Sequence, residues 1–322
     1  MSPEAARARA ETLLESALYL QSGTEIVFAL YTAPTTSPAN IGVVLAHSGA
    51  NNFSAHRNGV WTSISRQLGR EGIPSLRFDF AGTGESSGEL VLGAAGQPVT
   101  DVIAAMDALR ATGCRRLLII GSCFGAIPSI AAAAARGDVA GLILLSPPLV
   151  LPDQSRMGSM RDRIGEVINF PTLRTIGTNS DYRRWFFARL VTLLQTRVSV
   201  KVRRLGRCSP STPVVAPSGH TGAVRGLLME VELARLITSE THVEVVYGTA
   251  DGNLAQVEED ADAARAIALL RRHDPARLGW TVLEGPVHGM EDVAVQEQLT
   301  RLVVQRARGL TEQASAGAGP PP

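Results

Sequence analysis

The pentapeptide Gly121-Ser122-Cys123-Phe124-Gly125 joins the apolar run RRLLII to the Ala-rich stretch AIPSIAAAAA. A nucleophile flanked by glycines two residues to either side, between a strand and a helix, is the pattern of a nucleophile elbow. The turn forces the nucleophile into a strained backbone conformation, and the glycines let strand and helix approach without a clash. The middle residue here is Cys123, at the start of a helix whose partial positive charge favours thiolate. Beside a neutral His it can form an ion pair or give up its proton on attack. The Ser122 side chain is expected to point away from the site. The competing reading of Cys123 is a buried, unreactive Cys. Cys114 and Cys208 lack such surroundings and read as structural.

An elbow predicts its partners in the order nucleophile, acid, His, each after a later strand. The segment THVEVVYGTADGN supplies Asp251 just past an apolar run, and WTVLEGPVHGMED supplies His288 just past the last one. His288 takes the proton of Cys123 and returns it to the leaving group, and Asp251 holds the imidazole tautomer. Read blandly, Asp251 is a turn residue and His288 a loop residue. Glu284 and Asp292 are alternative acids. His220, His242 and His273 read as structural or exposed.

After the run IGVVLA comes His47-Ser48-Gly49-Ala50-Asn51-Asn52. A loop of this type supplies one backbone N–H to an oxyanion hole, from Ser48 or Gly49, and Phe124 supplies the other. His47 reads as a brace for this loop, with substrate contact as its alternative. His56 and Arg57, at the start of the next helix, hold the loop or touch substrate. The stretch RFDFAGTGESSGE has neither the P-loop spacing nor G-x-G-x-x-G, which argues against phosphate binding.

These groups need a frame. Apolar, β-rich runs lie at 25–31, 41–47, 74–80, 116–122, 141–146, 242–248 and 280–283; several are continuously apolar (VVLA, LLII, LILL), which suits strands buried on both faces of a parallel sheet. Helical patterns lie between them at 61–70, 100–111 (Thr100 and Asp101 as capping candidates), 126–136, 259–272 and 291–308. That alternation predicts a doubly wound α/β fold. It lapses between 149 and 239, which reads as a helical lid insertion. Residues 1–15 read as an N-terminal extension, 16–148 and 240–308 as the core, and 309–322 as a disordered tail.

Composition narrows the function classes. With 45% hydrophobic and 19% charged residues the chain is not wholly disordered. A net charge of +1 gives no reason to expect a polyanion partner. Three cysteines without a CxxC pair argue against a disulfide scaffold or a zinc ribbon and fit a reducing cytoplasm. No apolar run is long enough to predict a membrane span, and the N-terminus lacks the apolar stretch of a secretory signal.

In the motifs AHSG, RFDFAGTGESSGE, GSCFG, GTAD and PVHG together, the chain resembles the α/β-hydrolases. It is similar to the serine-aminopeptidase-like members and more so to hydrolases associated with the exosortase A system, which also carry Cys in the elbow. The resemblance implies an α/β-hydrolase fold: an eight-stranded, mostly parallel sheet with flanking helices and a lid. It implies chemistry on esters, thioesters or amides through a covalent acyl-enzyme, with no metal or organic cofactor. Three outcomes follow: hydrolysis of esters or thioesters, acyl transfer from a carrier-protein or coenzyme A thioester to an amine or hydroxyl, or a non-catalytic binding protein. Between 182 and 229 there are nine basic residues and no acidic one. A lid so charged would steer an acyl carrier protein to the site, unless it is an ordinary solvated helical face. Nucleic acid is not an expected partner.

Overall fold

The computed structural model describes residues 13–35, 39–48, 52–91, 96–150, 229–239, 241–273 and 276–317. The chain divides into two compact units, Met1–Leu151 with Arg225–Pro322, and Pro152–Val224. The second unit lies outside the described residues, and with it most of the expected lid, its basic stretch, Cys208 and His220.

Eight strands form one sheet in the order β1-β2-β4-β3-β5-β6-β7-β8. They are β1 (Leu13–Ser22), β2 (Glu25–Pro34), β3 (Ile41–Ala46), β4 (Ser75–Phe78), β5 (Arg116–Ser122), β6 (Gly141–Leu145), β7 (His242–Gly248) and β8 (Leu278–Leu283). β1 and β2 pair antiparallel, β2 joins β4 antiparallel, and the rest are parallel. The helices are α1 (Val60–Arg70), α2 (Gln97–Ala111), α3 (Ala126–Arg136), α4 (Glu230–Thr238), α5 (Gly252–Glu259), α6 (Ala261–His273) and α7 (Val293–Gly317).

Every residue of β3, β4 and β6 is buried, because helices cover both faces of the sheet. Alternation within β5 shows the two layers. Leu118 and Ile120 face a core built with Trp61, Ile64 and Leu68 of α1 and Leu299 and Val303 of α7. Leu117 and Ile119 face the opposite core, with Met106 and Leu109 of α2, Ile130 of α3 and Leu236 of α4.

Several expected boundaries shift. β1 occupies residues 13–15 of the expected N-terminal extension and its whole length went unpredicted. Its Leu, Glu and Ala suit a helix by propensity; the turn at Gly23 (φ 60) and the pairing with β2 make it a strand. α4 belongs to the core, not the insertion, since Leu233, Leu236 and Ile237 are buried there. α2 begins at Gln97, three residues before the expected caps. Asp101 instead accepts bonds from Ser22 Oγ (2.6 Å) and the Ala81 N–H (2.9 Å). The expected helix at 259–272 is α6, which starts at Ala261, where the Asp260 carboxylate takes the Asp262 and Ala263 N–H groups; α5 before it went unpredicted. α7 continues to Gly317, into the expected disordered tail.

Candidate active site

Strand register brings the site together. Ala46 of β3 lies opposite Gly121 of β5, so the loop after β3 meets the elbow after β5. Gly248 of β7 lies opposite Leu283 of β8, so the loops carrying Asp251 and His288 emerge side by side. The chain leaves β3 for β4 on one side and reaches β5 on the other; such a switch point leaves a crevice at the carboxyl ends of parallel strands.

Cys123 sits at φ 49, a left-handed conformation that costs a non-glycine residue about 1–2 kcal/mol. The flanking glycines are required sterically. A Cβ on Gly121 would lie 2.6 Å from Ala126 Cα, and one on Gly125 would lie 2.2 Å from the His47 carbonyl oxygen. The elbow therefore packs directly on the loop after β3. Ser122 is wholly buried and its hydroxyl has no hydrogen-bond partner.

His288 Nε2 lies 3.2 Å from Cys123 Sγ. Burial pushes the thiol above its ordinary range, opposed by the Phe124 N–H, Arg57 and the Asn253 side chain. Burial also lowers the basicity of His288, Arg57 adds to this, and Asp251 opposes it. These directions run against the expected pull of the helix start toward thiolate. In a desolvated site separating thiolate from imidazolium is costly, and both shifts favour neutral thiol beside neutral imidazole.

Asp251 is also arranged otherwise than expected. Its Oδ1 accepts the main-chain N–H of His288 and its Oδ2 that of Gly248, both at 2.8 Å. Among the described residues the carboxylate makes no bond to the imidazole ring. It fixes the loop carrying His288 and acts on the ring through space. The alternative acids are placed elsewhere: Glu284 is exposed, and Asp292 accepts the Ala294 N–H at the start of α7.

Ser48 Oγ accepts a bond from the Asn52 amide (2.7 Å), which ties the loop after β3 together; Gly49 lies outside the described residues. His47 is wholly buried, stacks edge-on against Phe80 and accepts the Phe80 N–H at Nε2 (3.2 Å), so it is a brace. Asp79 takes the Ser54 and Glu85 N–H groups, and a Cβ at Gly84 would fall 2.0 Å from its Oδ2. RFDFAGTGESSGE is therefore a loop brace. Cys114 is buried, His242 lies 3.6 Å from Glu244, and His273 is exposed at the end of α6.

His56 is 6% exposed, at φ 57 and ψ −179, a region nearly restricted to glycine. Its Nδ1 accepts the Arg57 N–H at 2.6 Å and its ring packs on Trp61. Three residues of this neighbourhood had no motif to betray them. Asn253 donates to the Ser146 carbonyl (2.8 Å). Ser146, at φ 44, follows β6 and so lies beside Cys123, because Leu145 pairs with Ser122. Asn58 donates to the Met290 carbonyl (2.9 Å), binding the turn after His56 to the His288 loop. Asn253 in GTADGN and Asn58 in HRNG adjoin predicted site residues, and that adjacency was their sole signal.

A separate cavity of about 1120 Å³, lined by Gln67, Leu118, Gly141, His242 and Arg306 among others, opens at the amino ends of β6 and β7, away from Cys123. Among the described residues, no group of three His, Cys, Asp or Glu side chains could hold a metal ion. No helix among them is long and apolar enough to cross a membrane.

The sequence matches the alpha/beta hydrolase family over residues 43–317. The chain belongs to that family. A search of curated proteins found no match. Among solved structures, an esterase of Pyrococcus furiosus superposes with a TM-score of 0.59 at 12% identity, covering 97% of this chain and 94% of its own. A thermostable carboxyl esterase of Bacillus coagulans gives 0.56 at 13% identity (93% and 99% covered), and the proline iminopeptidase of Mycobacterium smegmatis 0.52 at 15% (93% and 100%). At these identities the likeness concerns the fold. An esterase and an iminopeptidase share it, so in this family the reaction must be argued from the side chains at the strand ends.

Proposed function

We propose that the protein is a Cys-His-Asp hydrolase of the esterase or thioesterase type, acting on acyl esters or thioesters through a covalent acyl-enzyme. The observation that carries this reading is the 3.2 Å separation of His288 Nε2 from Cys123 Sγ, at a residue held in a strained turn. The Cys in the elbow also supports kinship with the exosortase A system-associated group.

Cys123 Sγ attacks the acyl carbonyl carbon while its proton passes to His288 Nε2. The Phe124 N–H and a second donor from Ser48 or Gly49 stabilise the oxyanion. The tetrahedral adduct collapses, the carbon–oxygen or carbon–sulfur bond to the leaving group breaks, and the leaving group takes the proton from His288. The acyl-enzyme is itself a thioester. Water, deprotonated by His288, attacks it, and the carboxylic acid leaves as Cys123 recovers its proton. An amine or alcohol in place of water gives acyl transfer by the same steps. Cys123 is 5% exposed, and such shielding favours an acceptor over bulk water.

The test is incubation with p-nitrophenyl acyl esters and acyl thioesters, with and without an amine acceptor, followed by intact mass. An acyl adduct on Cys123, absent in Cys123→Ala together with turnover, supports the reading. Faster release with the amine than with water assigns acyl transfer. A folded protein that forms no adduct with any donor is a binding protein, and the reading falls.

A further inference from the structure

Most described arginines are exposed, as Arg70, Arg115, Arg235, Arg271 and Arg272 are, or have a partner; Arg116 donates to the Leu310 carbonyl. Arg66, Arg77, Arg110, Arg136, Arg306 and Arg308 each meet a carboxylate. The Arg57 guanidinium makes no hydrogen bond and no ion pair with any described residue, and the residue is only partly buried. Its position is nonetheless closely specified. It opens the 3-10 turn Arg57–Gly59, and its own N–H is held by the buried His56 ring at 2.6 Å. The next residue, Asn58, is tied to the Met290 carbonyl, two residues past His288. The backbone is strained on both sides, at His56 (φ 57) and Asn58 (φ 53), and strain of this kind collects where a loop is held for binding or catalysis.

The turn thus brings a cation to the rim of the Cys123–His288 pair. The guanidinium acts through space on both: it favours the thiolate and disfavours the imidazolium, on the latter more strongly than Asp251 opposes it. Asp251 forms no ion pair with it; its two carboxylate oxygens accept main-chain N–H groups. An unpaired cation that weakens the general base is a poor device for a neutral substrate. It becomes a useful one when the substrate brings the counter-charge.

We propose that Arg57 binds an anionic oxygen group of the substrate, a carboxylate or a phosphate, and makes the enzyme selective for negatively charged acyl donors. This rests on the acyl-enzyme reading above. A guanidinium offers two parallel N–H donors to such a group. The same pairing offsets the guanidinium's field on His288 and so restores basicity to the imidazole. The anion has two chemical sources: the acyl chain, as in a half-ester of a dicarboxylic acid, or the leaving group, as in a phosphate-bearing thiol.

Two substrate pairs separate them. The first is the p-nitrophenyl monoester of glutaric acid against p-nitrophenyl pentanoate; the second is acetyl-coenzyme A against acetyl-N-acetylcysteamine. The wild type is expected to favour the anionic member of one pair in kcat/KM by about 10- to 100-fold, the range of a charge-assisted hydrogen-bonded contact. Preference in the first pair assigns the acyl carboxylate, and in the second the leaving-group phosphate. Arg57→Gln brings the ratio close to one, chiefly by raising KM for the anionic member, and Arg57→Lys retains part of it. The inference is overturned if Cys123 is acylated by the neutral ester yet the ratios are the same in the wild type and in Arg57→Gln of unchanged circular dichroism. A wild type whose Cys123 is acylated by none of the four donors overturns the acyl-enzyme reading and this inference with it.

Discussion

The carboxylate of Asp251 holds His288 by its backbone, accepting the main-chain N–H at 2.8 Å while its other oxygen takes the Gly248 N–H. An acid in this position sets where the imidazole stands before it sets how the ring is charged. Asp251→Ala leaves two sheltered N–H groups without acceptors, at about 1–3 kcal/mol each. Urea denaturation is expected to show a clear loss of stability beside the loss of turnover. If the acid served the ring alone, Asp251→Ala would lower kcat and leave the urea midpoint where it was.

The pairing of a raised thiol with a weakened imidazole makes opposite predictions for two pH profiles. Alkylation of Cys123 by iodoacetamide, which needs thiolate, rises with pH to a midpoint above the ordinary thiol range. Turnover, which needs only neutral His288, is complete well below that midpoint, with an acid limb below the usual imidazole range near 6.5. Coincident midpoints near neutrality would point to a resting thiolate–imidazolium pair and against the neutral pair described here.

Gly125→Ala puts a methyl group 2.2 Å from the His47 carbonyl oxygen and 2.9 Å from that of Ala46, both main chain. Neither can yield without moving the oxyanion loop. The variant is expected to lose about 3 kcal/mol or more together with most of its turnover. Gly252→Ala, where the added methyl meets nothing within 4 Å, is the control and should be neutral or slightly stabilising.

Burial, reinforced by His47, Arg57 and His288, lowers His56 from 6.5 to about 3. The native state keeps this ring neutral while the unfolded chain protonates it, so stability is full above pH 6.5 and is lost as pH falls toward 3. The loss is on the order of 5 kcal/mol across that window. Buried Asp79 and Asp101, whose carboxyls are pushed up, act in the opposite sense. The comparison that isolates His56 is therefore urea denaturation of wild type and His56→Asn at pH 7 and pH 4. The variant should show the smaller loss on acidification; equal losses would mean that the ring gains a proton in the folded state.

Much of this molecule was legible without coordinates. Seven of the eight strands announce themselves as apolar, β-rich runs, most plainly β3, β5 and β6, which are buried on both faces. β1 did not, since it lies at the sheet edge, exposes residues such as Leu14 and Tyr19, and is a strand only through its pairing with β2. Cys123, Asp251 and His288 were readable because an elbow needs its glycines and because parallel strands deliver their loops to one end.

What the amino-acid order determined by itself was local: which runs bury, where a turn demands glycine, which side chains can do chemistry. The meeting of Sγ with Nε2 across 165 positions, the use of Asp251 on main-chain N–H groups, and the solitary charge of Arg57 were decided by tertiary structure. Whether a thiol gives up its proton, and whether a cation has a counter-charge, depend on distances and desolvation among groups remote in the chain. Those quantities exist only once the sheet has aligned its strands.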